Sequence, residues 1–311
     1  MPSLNAALVR GAVTSPFKRA GRPGAALPTD RAVRPAAPIA AGPLASYRRI
    51  CGFTGPDTLP LTYPHVLGFP LAMRLMTARR FPLPVVGLVH TWIEITVHRT
   101  LHPTDRPELT VYAESLAPHR RGTEVTMVTE ARLAGELLWE SRSGYLSRHT
   151  THPGTTETGP DPDPGPAGTG PTPAPTHAAP APAPAPRNTT PVPELPAVAE
   201  WRLPGDLGRR YGAASGDRNP IHLYPLTARL FGFPRPIAHG MWTVARCLAE
   251  TPEPDEVHVV RADFRAPVLL PATVTYAADA TGFQLRSAGR IHLTGRILRA
   301  PDPAAARDGR S

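Results

Sequence analysis

The stretch Tyr211-Gly-Ala-Ala-Ser-Gly-Asp-Arg-Asn-Pro-Ile-His-Leu223 packs an acid, an amide, a proline and an imidazole into one short loop. Asp217 and His222 are separated by four residues, a spacing compatible with a structural turn, part of a metal site, or an acid–base pair. Asn219 is among the best N-cap residues, and Pro220 suits the first helical position, where its missing N–H costs nothing. His222 then falls in a first helical turn. Asp217 lies just ahead of the cap, behind Ser215-Gly216, where glycine permits a sharp approach. A loop folded back on that helix start can bring carboxylate and ring to one shared water. A plainer reading is that Asp217 only ties up backbone N–H groups. Asp217, His222 and His239 also make a possible three-ligand metal set. No His-x-x-x-His spacing supports it, so neither metal nor cofactor is expected.

The next polar cluster, Phe-Gly-Phe-Pro-Arg-Pro-Ile-Ala-His-Gly-Met-Trp (231–242), enters a helix through His239-Gly240. N–H groups at a helix start have no intrahelical acceptor and can meet a partial negative charge. An acid–base pair beside such a start is what proton abstraction next to a carbonyl requires. His239 by itself reads first as a packed or capping histidine.

These residues need elements to hold them. Apolar spacing predicts a helix over 237–250, with Met241, Val244, Ala245 and Leu248 on one face. Strand-like runs follow at 256–270, 272–279, 282–289 and 290–300, separated by Pro, Gly or polar breaks. The first half repeats the order: a helix over 63–78, kinked or started at Pro70, then strand-like runs at 88–101, 108–115 and 122–148. A helix buried by a curled antiparallel sheet, twice over, is an α+β arrangement. The first half has Asp57 and His65 at a different spacing and nothing that ties them together. It is expected to be a degenerate copy that supports a site in the second half.

At 311 residues the chain has room for two domains, each with its own core. Residues 151–196 are rich in Pro, Gly and Thr and nearly free of large apolar side chains, which predicts a disordered linker. The division expected is a disordered basic tail (1–40), an N-terminal domain (41–150), the linker, a C-terminal domain (197–302) and a short disordered tail (303–311). The net charge is +9, but the arginines are scattered and Lys18 is the sole lysine. With no nucleic-acid-binding motif, that charge better suits an anionic small molecule or an acidic protein. Cys51 and Cys247 are too few for a disulfide framework or a cysteine zinc site and read as buried apolar residues in a reducing compartment. No apolar run approaches membrane-spanning length. A cytoplasmic protein is expected.

Tyr211, Ser215-Gly216-Asp217-Arg218-Asn219-Pro220-Ile221-His222 and the later Ala238-His239-Gly240-Met241 resemble the MaoC-like hydratase/dehydratase family over residues 198–300. The resemblance implies a double hotdog, each half a long central helix wrapped by a curved antiparallel sheet. It implies Asp217 and His222 as a catalytic dyad and the Gly240 N–H as an oxyanion donor. Ser215 and Asn219 would shape the loop, and His239 would sit with the substrate-binding residues. The implied activity is that of a hydro-lyase. It reversibly hydrates trans-2-enoyl thioesters, or dehydrates (R)-3-hydroxyacyl thioesters, carried on CoA or an acyl-carrier protein. A hotdog thioesterase and a non-catalytic thioester binder are the alternatives, and pairing as a homodimer stays open. Two features depart from the family: Tyr224 replaces a common acidic residue, and the linker is long. The 63–78 helix, through Leu71 and Leu75, is expected to wall an acyl tunnel.

Overall fold

Strands here arise from period-two alternation. In β2 (Val89–Val97), Ile93, Ile95 and Val97 are buried while their neighbours stay partly open. The computed structural model describes residues 18, 25–55, 57–149, 193–252 and 256–299. Most of the expected linker and the chain ends therefore lie outside the described residues. The remaining first-half strands are β1 (Ala32–Arg34), β3 (Glu108–His119), β4 (Gly122–Leu133) and β5 (Glu136–Arg148). Those of the second half are β6 (Ala197–Leu203), β7 (Val257–Phe264), β8 (Ala272–Ala278), β9 (Gly282–Ser287) and β10 (Arg290–Arg299).

All ten strands form one sheet in the order β1-β3-β4-β5-β2-β7-β10-β9-β8-β6. Read from its middle outwards, the order is the same in both directions. The halves meet where β2 and β7 run antiparallel, with Trp92 opposite Asp263 and Ile95 opposite Val260. Four longer helices accompany the sheet: α1 (Ala41–Cys51), α2 (Tyr63–Met76), α3 (Leu207–Ser215) and, further on, α5 (Gly240–Leu248). The short α4 (Pro225–Leu230) lies between the last two. Helices α2 and α5 each carry buried apolar residues into the core, including Leu71 and Met73 on the first and Val244 and Leu248 on the second. Two helices wrapped by the two halves of one curved antiparallel sheet make a double hotdog.

Several boundaries differ from the sequence reading. The run 122–148 is two strands joined at Ala134-Gly135, and β9 and β10 are joined in the same way at Ala288-Gly289. All four of these residues have positive φ. Two-residue hairpin turns with positive φ match the twist of the flanking strands, but alanine gives no warning of one. The expected 256–270 strand ends at Phe264. The α5 helix begins at Gly240 because Ala238 donates instead to Val268 O and Ile237 bridges Leu269. Residues 25–40, expected within a disordered tail, include β1, paired with β3 and burying Ala32 and Ala37. Pro70 lies inside α2, which continues to Met76.

Candidate active site

Helix α3 ends at Ser215, where Gly216 turns the chain with φ 81° and returns its N–H to Gly212 O. Ser215 Oγ donates to Tyr211 O at 2.9 Å and accepts from Asp217 N at 3.2 Å. Asp217 Oδ1 accepts from Asn219 N at 3.1 Å, and Asn219 Oδ1 caps the following 3-10 turn (Pro220–His222) by accepting from Ile221 N at 3.4 Å. The turn-forming and convergent roles of Asp217 therefore coexist: one oxygen organises the loop, while the side chain keeps 27% exposure.

His222 Nδ1 donates to Ile237 O at 2.8 Å. A neutral ring holding its proton there presents Nε2 as an acceptor. His239 Nε2 donates to Asp217 O at 2.9 Å and lies 3.9 Å from Asp217 Oδ2. The two imidazoles stack with centroids 3.6 Å apart, and Tyr211 packs on His239 at 4.8 Å. His239 is thus 2% exposed, packed against two rings, with its Nε2 on the Asp217 main chain. The histidine expected among the substrate-binding residues thus ties the loop through the Asp217 main chain.

Burial lowers the His222 pKa below its ordinary 6.5, partly offset by the Asp217 carboxylate and by the bond to Ile237. Burial lowers His239 much further, and its neighbour His222 adds to the effect. Burial raises Asp217 above its ordinary 3.8, against the pull of His222 and the Asn219 amide. Burial thus favours uncharged imidazoles at His222 and His239 and works against the charge on Asp217, which His222 and the Asn219 amide support. Asp217, His222 and His239 each offer one atom within 4.8 Å of the others, a spacing a small divalent cation could bridge. The Nε2 of His239 is, however, already committed to the Asp217 carbonyl.

Gly240 is the first residue of α5, and His239 ahead of it supplies no side-chain cap. A Cβ at Gly240 would lie 2.8 Å from the Phe264 ring, so a larger residue there would push that ring aside. Phe264 leads to side chains of the first half. It packs on His90 at 4.7 Å, and His90 stacks on Tyr145 at 4.6 Å. Burial raises the Tyr145 pKa, and the Asp217 charge raises it further, which puts this first-half phenol within electrostatic reach of the loop. His90 and Tyr145 were not identified from the sequence. Their nearness to Gly240 depends on the β2–β7 pairing, which joins strands more than 150 residues apart. Leu71 and Leu75, expected to line a tunnel, are buried core residues of α2.

A second missed feature is the pair Gly208 and Gly212 on one face of α3. A Cβ at Gly208 would lie 2.0 Å from His222 O, and one at Gly212 would lie 2.7 Å from Asp217 O. The helix is smooth there because the loop lies against it. Gly208→Ala is expected to push His222 out of register and to destabilise the fold by about 1–3 kcal/mol, as overpacking does. Urea unfolding checks the stability, and a wild-type unfolding midpoint would show that the loop does not press on the helix.

This fold and loop define a protein class that comparison with known proteins identifies. Residues 184–296 match the family described as MaoC like domain. The chain is 36% identical over 270 residues to 3-hydroxyacyl-thioester dehydratase X of Mycobacterium tuberculosis, covering 84% of this chain and 86% of that one. The crystal structure of HtdX from that organism matches at TM-score 0.68 and 31% identity, covering 87% of this chain and 100% of that chain. A MaoC-like dehydratase from Phytophthora capsici shares the fold at TM-score 0.64 and 17% identity, covering 91% and 97%. The chain belongs to the MaoC-like dehydratase family, a class of hydro-lyases.

Proposed function

We propose that this protein adds water reversibly across the 2,3 double bond of trans-2-enoyl thioesters, giving (R)-3-hydroxyacyl thioesters, with Asp217 and His222 as the catalytic pair. The observation that carries this reading is the convergence of the Asp217 carboxyl and the His222 imidazole, within 4.8 Å of each other, at the foot of a helix whose first N–H is Gly240. The dehydratase relative from Mycobacterium tuberculosis supports the same substrate class.

In the hydration direction, a water held between Asp217 and His222 Nε2 gives its proton to Nε2 as its oxygen bonds C3. Electron density moves to the thioester oxygen, where the Gly240 N–H receives it. A single such donor typically contributes about 2.7–4 kcal/mol to the transition state. The imidazolium, steadied by Asp217, then returns the proton to C2. Dehydration reverses the path: His222 takes the α-proton and delivers it to the departing hydroxyl. Asn219 and Ser215 hold the loop, and His239 positions Asp217. The chemistry uses no redox step.

Among the described residues no helix is long and apolar enough to cross a membrane. The buried free thiols Cys51 and Cys247 suit work in a reducing cytoplasm.

Incubation with crotonyl-CoA tests the reading. Loss of enoyl-thioester absorbance without release of free thiol is the expected result. Thiol release would assign a thioesterase, and no change in either signal would assign a binder.

A further inference from the structure

The loop that carries Asp217 and His222 runs directly into an apolar surface. Tyr224, Leu226, Leu230 and Phe231 are all exposed, with Leu226 at 71% and Leu230 at 77%. Four large apolar side chains left in the open within one short segment mark a site of contact rather than ordinary surface. The segment is not a loose end. Thr227 Oγ1 donates to Pro220 O at 2.7 Å, and Arg209 donates to Leu223 O at 3.1 Å while its guanidinium lies 5.3 Å from the Tyr224 ring centre. Helix α4 is thereby tied to the turn that presents His222.

The chain that carries this surface is rich in arginine between Asp217 and Glu250. Arg218, Arg229 and Arg235 lie between them, while Arg246 is paired with Glu250. Arg210, Arg218, Arg229 and Arg235 are exposed, and neither they nor Arg209 meet a carboxylate among the described residues. Arg142 and Arg261, by contrast, are each held by two carboxylates on the sheet. Unpaired cations on the same stretch of chain as exposed apolar side chains complement a partner that is both acidic and apolar, and they steer its approach.

We propose that the α4 surface is the docking site of an acidic acyl-carrier protein that delivers its thioester arm to Asp217 and His222. This rests on the thioester reading above and names the carrier in it. The phosphates of a free CoA thioester would engage arginines but would gain nothing from Leu226 and Leu230, which stand out into solvent. A small acidic protein uses both features, and docking beside the loop places its arm at the site.

The test is a double variant, Leu226→Glu with Leu230→Glu. Both side chains are exposed, so the fold is expected to persist, as thermal unfolding will show. In the binding arm, phosphopantetheinylated acyl-carrier protein is titrated into the full chain at low and high salt. Wild type is expected to bind, to lose affinity with salt, and to lose about ten-fold or more in the double variant, the size of an interface hot spot. In the turnover arm, kcat/KM for a crotonyl-carrier substrate is expected to fall by a similar factor in the double variant. Crotonyl-CoA turnover is expected to stay within about two-fold, since a substitution away from its contacts leaves transition-state binding intact.

Several results overturn the docking proposal: no carrier binding by wild type, equal losses on both substrates, or no loss on either. A wild-type dimer that the double variant dissolves, without carrier binding, assigns the surface to a second copy of the chain. Binding to anionic phospholipid vesicles but not to the carrier assigns it to lipid. Both of those also overturn the proposal. Failure of wild type to hydrate crotonyl-CoA would sink the thioester reading, whereas the binding arm decides docking by itself.

Discussion

Replacing Asp217 with Asn, or His222 with Ala, is expected to lower crotonyl-CoA hydration by about 10²–10⁴-fold, the range of positioned acid–base catalysis. The reason is geometric. His222 Nδ1 is spent on Ile237 O, so its Nε2 is the ring's free acceptor, and Asp217 Oδ1 is spent on the Asn219 amide, while Oδ2 makes no hydrogen bond among the described residues and lies 3.9 Å from His239 Nε2. Asp217→Asn keeps the shape and both turn contacts but removes the charge that steadies the imidazolium. His222→Ala removes the proton carrier and leaves Ile237 O without that partner, so thermal unfolding should accompany the rate. Activity of the wild type is expected to fall with acid as His222 becomes protonated. Because burial depresses its pKa, the fall should begin below the ordinary imidazole range near 6.5. A variant of either residue with wild-type kcat/KM would remove it from the chemistry.

A second large effect is acid lability of the fold. Burial lowers the pKa of His65 to about 4 and also lowers those of His90, His222 and His239. In the folded chain these rings stay neutral below pH 6.5, whereas in the unfolded chain they take up protons near that value. Stability is therefore full above the unfolded pKa and is lost as pH falls below it, until each folded pKa is reached. For His65 alone the window from 6.5 to about 4 amounts to about 3 kcal/mol. Domains have about 5–15 kcal/mol to lose. Asp217, with its raised pKa, acts in the opposite sense, but as one group against four. Urea titrations at pH 7.5, 6.5 and 5.5 are expected to show stability falling progressively as pH drops through the unfolded imidazole range, with a slope that reports net proton uptake on unfolding. A flat profile down to pH 5.5 would mean that these rings are not held neutral.

What could be read from the sequence was what is local. The order Asp217, Asn219, Pro220, His222 encodes its own turn, because caps and proline act within a few residues. The repeated order of helix and strands was likewise written in apolar spacing. The missing parts depend on distant neighbours. Gly208 and Gly212 look like weak positions in a helix until the loop is seen lying against them. His90 and Tyr145 are ordinary strand residues until β2 pairs with β7 and Phe264 carries their stack to Gly240. The hairpins at Ala134 and Ala288 escaped notice because alanine seldom takes positive φ. His239 was placed with the substrate because its sequence neighbour is Gly240. In the fold that imidazole is buried against Tyr211 and His222, with its Nε2 on Asp217 O.

The claim beneath these points is that one carboxylate and one imidazole act as a unit on a single water. Its most direct test is the rate of the double variant Asp217→Asn with His222→Ala beside the two single variants. If the pair shares one proton-transfer path, the double variant should be about as slow as the slower single variant, because the second loss removes nothing further. Losses that multiply would show two independent contributions and contradict the shared site.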